Sequence, residues 1–263
     1  MLIPTRNSAA TIEKTLLSIE SSVYRNFEVI ISDGFSADGT KLIVNKFGYN
    51  FYEVGGGLLA ARIHGINLAK GEVIVLLDAD QQLKPDSLSR IAKASDLFDM
   101  VVLEEVLAKD RLNVLDHMWE FEKRGNRSLF NFAIDPLNGS VLPRVFKSSL
   151  LKQAISEIPD YIVPWLRHPD HQIIYFECYK ISKSIGVLND AIYYVERTNP
   201  IDLIKTYFRH GRDARRLKHT KYECIVEAKF KTKPSIYLRS GSFLGANILQ
   251  IIKSTSFLLG YLL

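Results

Sequence analysis

Residues 73–80 read Val73-Ile74-Val75-Leu76-Leu77-Asp78-Ala79-Asp80. Five successive apolar residues suit a strand buried on both faces, as in a parallel sheet. The strand must end at Asp78, so both carboxylates emerge at its tip. Two unpaired carboxylates that close together repel, and one protonates. A divalent cation removes the conflict. Hard oxygen ligands suit Mg²⁺ or Mn²⁺, and Mg²⁺ is commonly held by one or two carboxylates plus substrate phosphates. Gln82, one alternation further on, adds a candidate carbonyl oxygen. Simple capping of the next turn by Asp78 and Asp80 is the other reading of the same residues.

Two more apolar runs flank this one. Glu28-Val29-Ile30-Ile31 ends at Ser32-Asp33-Gly34, and Met100-Val101-Val102-Leu103 follows. Met1-Leu2-Ile3 reads as the end of a further strand, so short that the chain is expected to have lost its first residues. Between the runs lie helical patterns. Ile12, Leu16 and Ile19 share one face, with Asn7 or Ser8 placed to cap; Leu59, Ile63 and Ile66 share another. Strand and helix alternation predicts an α/β fold with right-handed crossovers. Ligands then bind beyond the carboxyl ends of the strands, at Pro4 to Asn7, at Asp33 and at Asp78 to Gln82. Asp33 is placed to accept a ring N–H from a base, or to cap a turn. Asp38 and Thr40 read as turn and helix-cap chemistry. Arg62 follows Gly55-Gly56-Gly57, where backbone N–H groups can approach an anion and an arginine can pair with phosphate. A solvated helix face is the alternative for Arg62. Val114 to Lys123 reads as a helix and Pro136 to Ser140 as a turn.

Composition bounds the rest. The chain has 263 residues, 47% apolar and 24% charged, which excludes a disordered or collagen-like chain. Cys178 and Cys224 lie far apart without metal-knuckle spacing and read as reduced thiols. No signal peptide is expected, because Met1-Leu2-Ile3-Pro4 is too short for its apolar region. Residues 205–239 hold 11 Lys and Arg against 3 Asp and Glu, while the remainder holds 23 against 26. A basic segment thus follows a slightly acidic body, fitting anionic lipid or phosphate. No nucleic-acid partner is expected, because no reading motif accompanies it. The final stretch, Phe243 to Leu263, is long enough to span a bilayer, but Lys253 near its middle opposes insertion. It reads as an amphipathic helix lying in the interface, with core packing as the alternative.

Taken together, Ile3-Pro4-Thr5-Arg6-Asn7, Asp33-Gly34-Phe35-Ser36-Ala37-Asp38-Gly39-Thr40, Ala61-Arg62, Ala69-Lys70-Gly71-Glu72 and Leu77-Asp78-Ala79-Asp80 resemble the nucleotide-sugar-binding half of a family 2 glycosyltransferase. The resemblance covers about residues 3–90. It implies a GT-A-like, Rossmann-type open sheet, mainly parallel, flanked by helices, with a helical C-terminal extension. It implies a nucleoside-diphospho-sugar donor, Mg²⁺ or Mn²⁺, and inversion at the anomeric carbon. Pro4, Thr5 and Asn7 would line the nucleotide pocket, Asp33 would hold the base, and Arg62 the donor phosphates or nearby carboxylates. Asp78 and Ala79 would lie along the donor. Asp78 and Asp80 would bind ribose or metal, Asp80 being the surer metal ligand, with Gln82 matching a further metal position of the polyprenyl-phosphate sugar synthases. Arg6 departs from the aromatic residue common there, and Gly34 from a second aspartate.

The acceptor half matches less. Pro169-Asp170-His171-Gln172 stands where the family has a Glu-Asp pair, and Asp170 is the candidate general base; His168 and His171 are alternatives. Asn138-Gly139-Ser140, with Arg144 following, resembles the acceptor loop. The expected domains are 1–200, divided into a nucleotide-sugar half at 1–100 and an acceptor half at 101–200, and a basic, apolar membrane-associating region at 201–263. The expected acceptor is a glycan hydroxyl or lipid phosphate, at the inner face of the cell membrane, in envelope glycan synthesis. Arg197 or the arginines from Arg209 to Arg216 could hold acceptor or donor phosphates. A nucleotidyltransferase, or a non-catalytic nucleotide-sugar-binding protein, are the competing classes.

Overall fold

The computed structural model describes residues 1–107, 134–137, 142–194, 199–231 and 244–263. The helix expected over 114–123, turn residues 138–140 and Arg197 lie outside these. The chain forms two compact units. One comprises Met1–Ala108 with Pro143–Val195, the other Lys109–Leu142 with Glu196–Leu263.

The first unit begins β1 (Leu2–Thr5), α1 (Ile12–Glu20), β2 (Ile30–Asp33), α2 (Thr40–Lys46), β3 (Asn50–Glu53) and α3 (Leu58–Leu68). It continues with β4 (Val73–Val75), β5 (Gln81–Leu83), α4 (Ser87–Leu97) and β6 (Met100–Leu107). β7 (Val145–Lys147), α5 (Ser148–Ser156), α6 (Asp170–Ile181) and β8 (Ile185–Tyr194) complete it. β1, β2 and β3 form a parallel sheet with β2 central. A parallel bridge from Leu2 to Leu76 joins β1 to the chain just after β4.

Adjacent residues of β1 show why its run is apolar throughout. Leu2 packs against α3 at Gly65, where an added Cβ would overlap its methyl groups. Ile3 faces the other way, into a core with Ile12, Leu16 and Ile19 of α1. A strand with both faces covered has no polar side to alternate with.

The second sheet runs β4-β7-β6-β8-β5. Only β6 and β8 pair in parallel; β7 is antiparallel to both β4 and β6, and β5 to β8. Here the expectation of parallel pairing gives way to a mixed sheet. A continuous apolar run reports burial on two faces and carries no information on direction. Asn7 and Ser8 also differ from expectation. Their side chains do not cap α1, whose N-cap Thr11 makes no side-chain capping bond and instead donates its hydroxyl to the Ser8 carbonyl. They fasten the β1 end to the loop after β2. Asn7 Oδ1 accepts the Ala37 N–H at 2.9 Å, and the Ser8 N–H donates to Thr40 Oγ1 at 2.8 Å.

The second unit contains α7 (Pro200–Arg216), α8 (Glu223–Lys231) and α9 (Leu244–Leu262). Asn199 Oδ1 accepts the Ile201 N–H at 2.9 Å, and Pro200 opens the helix where its missing N–H costs nothing. Among the described residues no helix is long and apolar enough to cross a membrane.

Candidate active site

β1 and β2 end side by side, with Thr5 and Asp33 in register. Thr5 Oγ1 donates to Asp33 Oδ1 at 2.6 Å. Ser36 donates its hydroxyl to the same oxygen at 2.6 Å and its N–H to Oδ2 at 2.7 Å. Ser36 Oγ also accepts the Asn7 N–H at 2.7 Å. Asp33 is thus buried and held still by the loop that follows it. One lone pair of Oδ2 is left for a further donor. Pro4 is buried in β1, and Asn7 is exposed with φ 51°.

A second cluster is built around Arg62, on the second turn of α3 and only 2% exposed. Its Nε donates to Asp170 Oδ2 at 2.6 Å, and its Nη2 to Asp78 Oδ1 at 2.8 Å. Residues 62, 78 and 170, far apart in sequence, therefore share one guanidinium. Asp170 is the first residue of α6, where the helix N-terminus favours a carboxylate. Arg62 Nη1 is buried and has no hydrogen-bond partner. An orphaned guanidinium N–H is costly, and in a cleft it is a place for an anion.

The cluster extends through Arg144. Its Nη1 donates to Asp78 Oδ2 at 3.0 Å, while Nε and Nη2 donate to Glu105 Oε1 at 3.2 and 3.0 Å. Gln81 closes the ring. Its Nε2 donates to Glu105 Oε1 at 2.7 Å, and its Oε1 accepts the Asp78 N–H at 2.9 Å. Arg144 had been read only as part of an acceptor loop. Gln81 and Glu105 had no signal in the sequence, since a glutamate in a strand reveals nothing about a partner 39 residues away.

Protonation follows from these contacts. Burial alone would raise the Asp78 pKa, but Arg144 and Arg62 outweigh it and hold the carboxyl below its usual range. Burial raises Asp170, with Arg62 opposing. Burial, reinforced by Arg62 and Arg144, drives His171 well below the ordinary histidine value. His171 Nε2 lies 2.6 Å from the Pro143 carbonyl, which can only accept, so Nε2 carries the proton. His171 is a neutral, buried ring.

The donor set decides how a metal fits. Both Asp78 oxygens accept from guanidinium groups, Oδ1 from Arg62 and Oδ2 from Arg144. Gln82 alternates with Gln81 along β5, so it points to the opposite face from the amide that reaches Asp78. Asp80 is half-buried on the turn after Asp78. Among the described residues no three His, Cys, Asp or Glu side chains form a cation cage. Asp80 fits a cation shared with a substrate diphosphate, the usual Mg²⁺ arrangement. Ala79 is buried, and its carbonyl accepts from Thr15 Oγ1 at 3.0 Å.

Known proteins resemble this chain. The amylovoran biosynthesis glycosyltransferase AmsB of Erwinia amylovora is 34% identical over 99 residues, 34% of this chain and 33% of that protein. A GalNAc(5)-diNAcBac-PP-undecaprenol beta-1,3-glucosyltransferase of Campylobacter jejuni is 26% identical over 165 residues, 58% of this chain and 52% of that protein. The chain thus spans about half or less of these relatives. Among solved structures, Staphylococcus aureus TarS 1–349 in complex with UDP superposes with a TM-score of 0.59 at 18% identity, covering 97% of this chain and 78% of that one. Glucosyl-3-phosphoglycerate synthase of Mycobacterium tuberculosis, with Mn²⁺, UDP and phosphoglyceric acid, gives 0.54 at 16%, covering 85% and 77%. At such identities the likeness is one of fold, the GT-A architecture. The family model described as glycosyl transferase family 2 matches residues 1–153, more than half of the chain, and the chain belongs to that family.

Proposed function

We propose that this chain transfers a sugar from a nucleoside-diphospho-sugar to an acceptor hydroxyl or lipid phosphate, with inversion. The observation that carries the reading is the buried Arg62 with its partnerless Nη1, placed between Asp78 and Asp170. A donor diphosphate oxygen is the anion that would complete it. Pro4, Thr5, Asn7 and Asp33 hold the nucleoside, with Asp33 on the base. Asp78 and Ala79 lie along the donor. Asp80 is the carboxylate for Mg²⁺ or Mn²⁺, which when bound neutralises charge on the diphosphate.

Asp170 takes the proton of the attacking acceptor oxygen. That oxygen bonds to the anomeric carbon from one face, and the bond to the diphosphate breaks on the other. The electron pair leaves with the nucleoside diphosphate, beside Arg62. A carboxyl raised by burial accepts that proton more readily than an exposed one. The UDP and UDP-GlcNAc complexes of TarS favour a uridine nucleotide. The undecaprenol-linked glucosyltransferase of C. jejuni favours a lipid-linked acceptor, presented at the inner face of the cell membrane.

Asp170→Asn keeps the side-chain shape and removes the base. Its expected effect is a fall of about 10²–10⁴ in transfer, with UDP affinity unchanged. Nucleoside diphosphate release, assayed across UDP-sugars and acceptors, measures it. Full turnover in the variant would contradict the assignment.

A further inference from the structure

Two strands lock a pair of charged side chains behind Asp78. The β6–β8 register shifts beside Glu105: Leu103 faces Leu188, and Glu105 faces Ile192. Such a break in strand pairing re-aims side chains. Here Glu104 Oε2 accepts the Asp190 N–H at 2.7 Å, while Glu105 Oε1 accepts from Gln81 and Arg144. Arg144 is anchored by its backbone. Its N–H donates to the Val101 carbonyl at 3.0 Å, and its own carbonyl accepts the Leu76 N–H at 2.7 Å, which ties it between β6 and the end of β4.

The result is a division of donors. A carboxylate facing a guanidinium pairs best through both oxygens on one fork. Asp78 instead divides its oxygens, Oδ1 accepting from Arg62 and Oδ2 from Arg144. Arg144 offers Asp78 its Nη1 because Glu105 takes Nε and Nη2. Arg62 in turn offers Asp78 its Nη2, keeps Nε for Asp170, and is left with the buried, partnerless Nη1. Glu105 and Arg144 thus bear on Arg62 through Asp78.

We propose that Arg144 and Glu105 are positioning residues for the donor diphosphate: they keep Arg62 divided between Asp78 and Asp170, so that Nη1 is left for a phosphate oxygen. Without Arg144, both Asp78 oxygens are open to Arg62, and its fork closes on Asp78. Without the Glu105 charge, the Arg144 fork closes on Asp78, and Arg62 loses that anchor. Either change turns Nη1 away from the diphosphate. The inference rests on the nucleotide-sugar reading above. It also differs in sign from a plain field effect. Removing an acid near a diphosphate strengthens binding by Coulomb's law, whereas removing the Glu105 charge here weakens it.

The test is binding of UDP to the whole chain by calorimetry, with Mg²⁺, and of uridine by ligand-observed NMR. Glu105→Gln keeps the side-chain shape and an oxygen facing Gln81 and Arg144. It should weaken UDP about tenfold, the worth of about one charge-assisted hydrogen bond. Uridine carries no phosphate for Nη1, so its affinity should not change. Arg144→Gln should weaken UDP at least as much, and Arg144→Lys, which keeps a cation beside Asp78 Oδ2, should lose less. The isosteric Glu105→Gln decides the question even where Arg144→Gln fails to fold. Unchanged or tighter UDP binding in Glu105→Gln overturns the proposal. So does equal weakening of UDP and uridine, the mark of a distorted fold. A wild-type chain that binds no UDP removes the nucleotide-sugar reading and this inference with it; UDP binding that survives Glu105→Gln in full removes the inference alone.

Discussion

Arg62 holds two carboxylates, the buried Asp170 and the partly exposed Asp78. Replacing it with alanine leaves Asp170 buried without its ion pair and strips one guanidinium from Asp78. Breaking a buried pair by removing one partner costs about 3–5 kcal/mol. Urea unfolding of Arg62→Ala should show a loss of that order, and Arg62→Lys should recover little, because an ammonium cannot span both acids as the fork does. A loss no larger than for an exposed arginine would show that the cluster is not tightly coupled.

His171 makes a second residue-scale prediction. Its folded-state pKa is depressed, so below about pH 6.5 the unfolded chain takes a proton that the folded chain refuses. Stability from this residue is therefore present above that pH and is lost on acidification. In His171→Gln, which can still donate to the Pro143 carbonyl, stability should fall less steeply between pH 6.5 and 5 than in the wild type, by up to about 1.4 kcal/mol per pH unit. Parallel stability curves would contradict a neutral buried ring.

Asp33, Arg62 and Asp78 could be picked out of the sequence because strand ends and a glycine-led helix start are where α/β chains place their chemistry, and Asp170 came from the family resemblance. What they touch could not. Asp78 sits on two guanidiniums, and Gln81, not Gln82, reaches it. Such partners are set by how strands β4, β5, β6 and β7 come together, which local pattern does not encode. The burial of His171 was hidden for a related reason. Residues 170–175 of α6 are all buried, so no polar stripe marks its orientation.

At the scale of elements, the start of α3 packs against the segment that precedes Asp170. The Leu59 N–H donates to the Leu166 carbonyl at 3.1 Å, and a Cβ on Gly57 would collide with that same carbonyl. The 162–166 stretch leads directly into Asp170. Gly57→Ala should thus cost about 1–3 kcal/mol and reduce transfer together, since it pushes Asp170 away from Arg62. Lost activity at wild-type stability, or the reverse, would separate the two. The apolar runs and helical periods foretold β2, β4, β6, α1 and α3 well, because burial on two faces and on one face leave different patterns. They did not foretell antiparallel β7, three residues long, whose position depends on the strands it enters between.

On the scale of the whole molecule, charge and hydropathy differ between the two units. The first gathers strand-end acids and Arg62, and the second exposes cations on α7 and aliphatic side chains on α9. The excess of base over acid in residues 205–239 was legible from composition. That α9 would bury Lys253 against α7 was not, because it depends on the close approach that Gly211 and Gly260 allow.

The central claim is that the strand-end acids and Arg62 bind a nucleoside diphosphate, with Asp80 bringing the cation. Thermal unfolding of the chain with UDP, with Mn²⁺ and with both tests it directly. A ligand at a hundredfold excess over its dissociation constant adds about 2.7 kcal/mol, several degrees in melting temperature. UDP with Mn²⁺ should raise the melting temperature more than UDP alone. Asp80→Ala should erase the Mn²⁺-dependent part, and Asp33→Ala should weaken both. No shift with UDP or any other nucleoside diphosphate, or an undiminished Mn²⁺ effect in Asp80→Ala, would contradict the account.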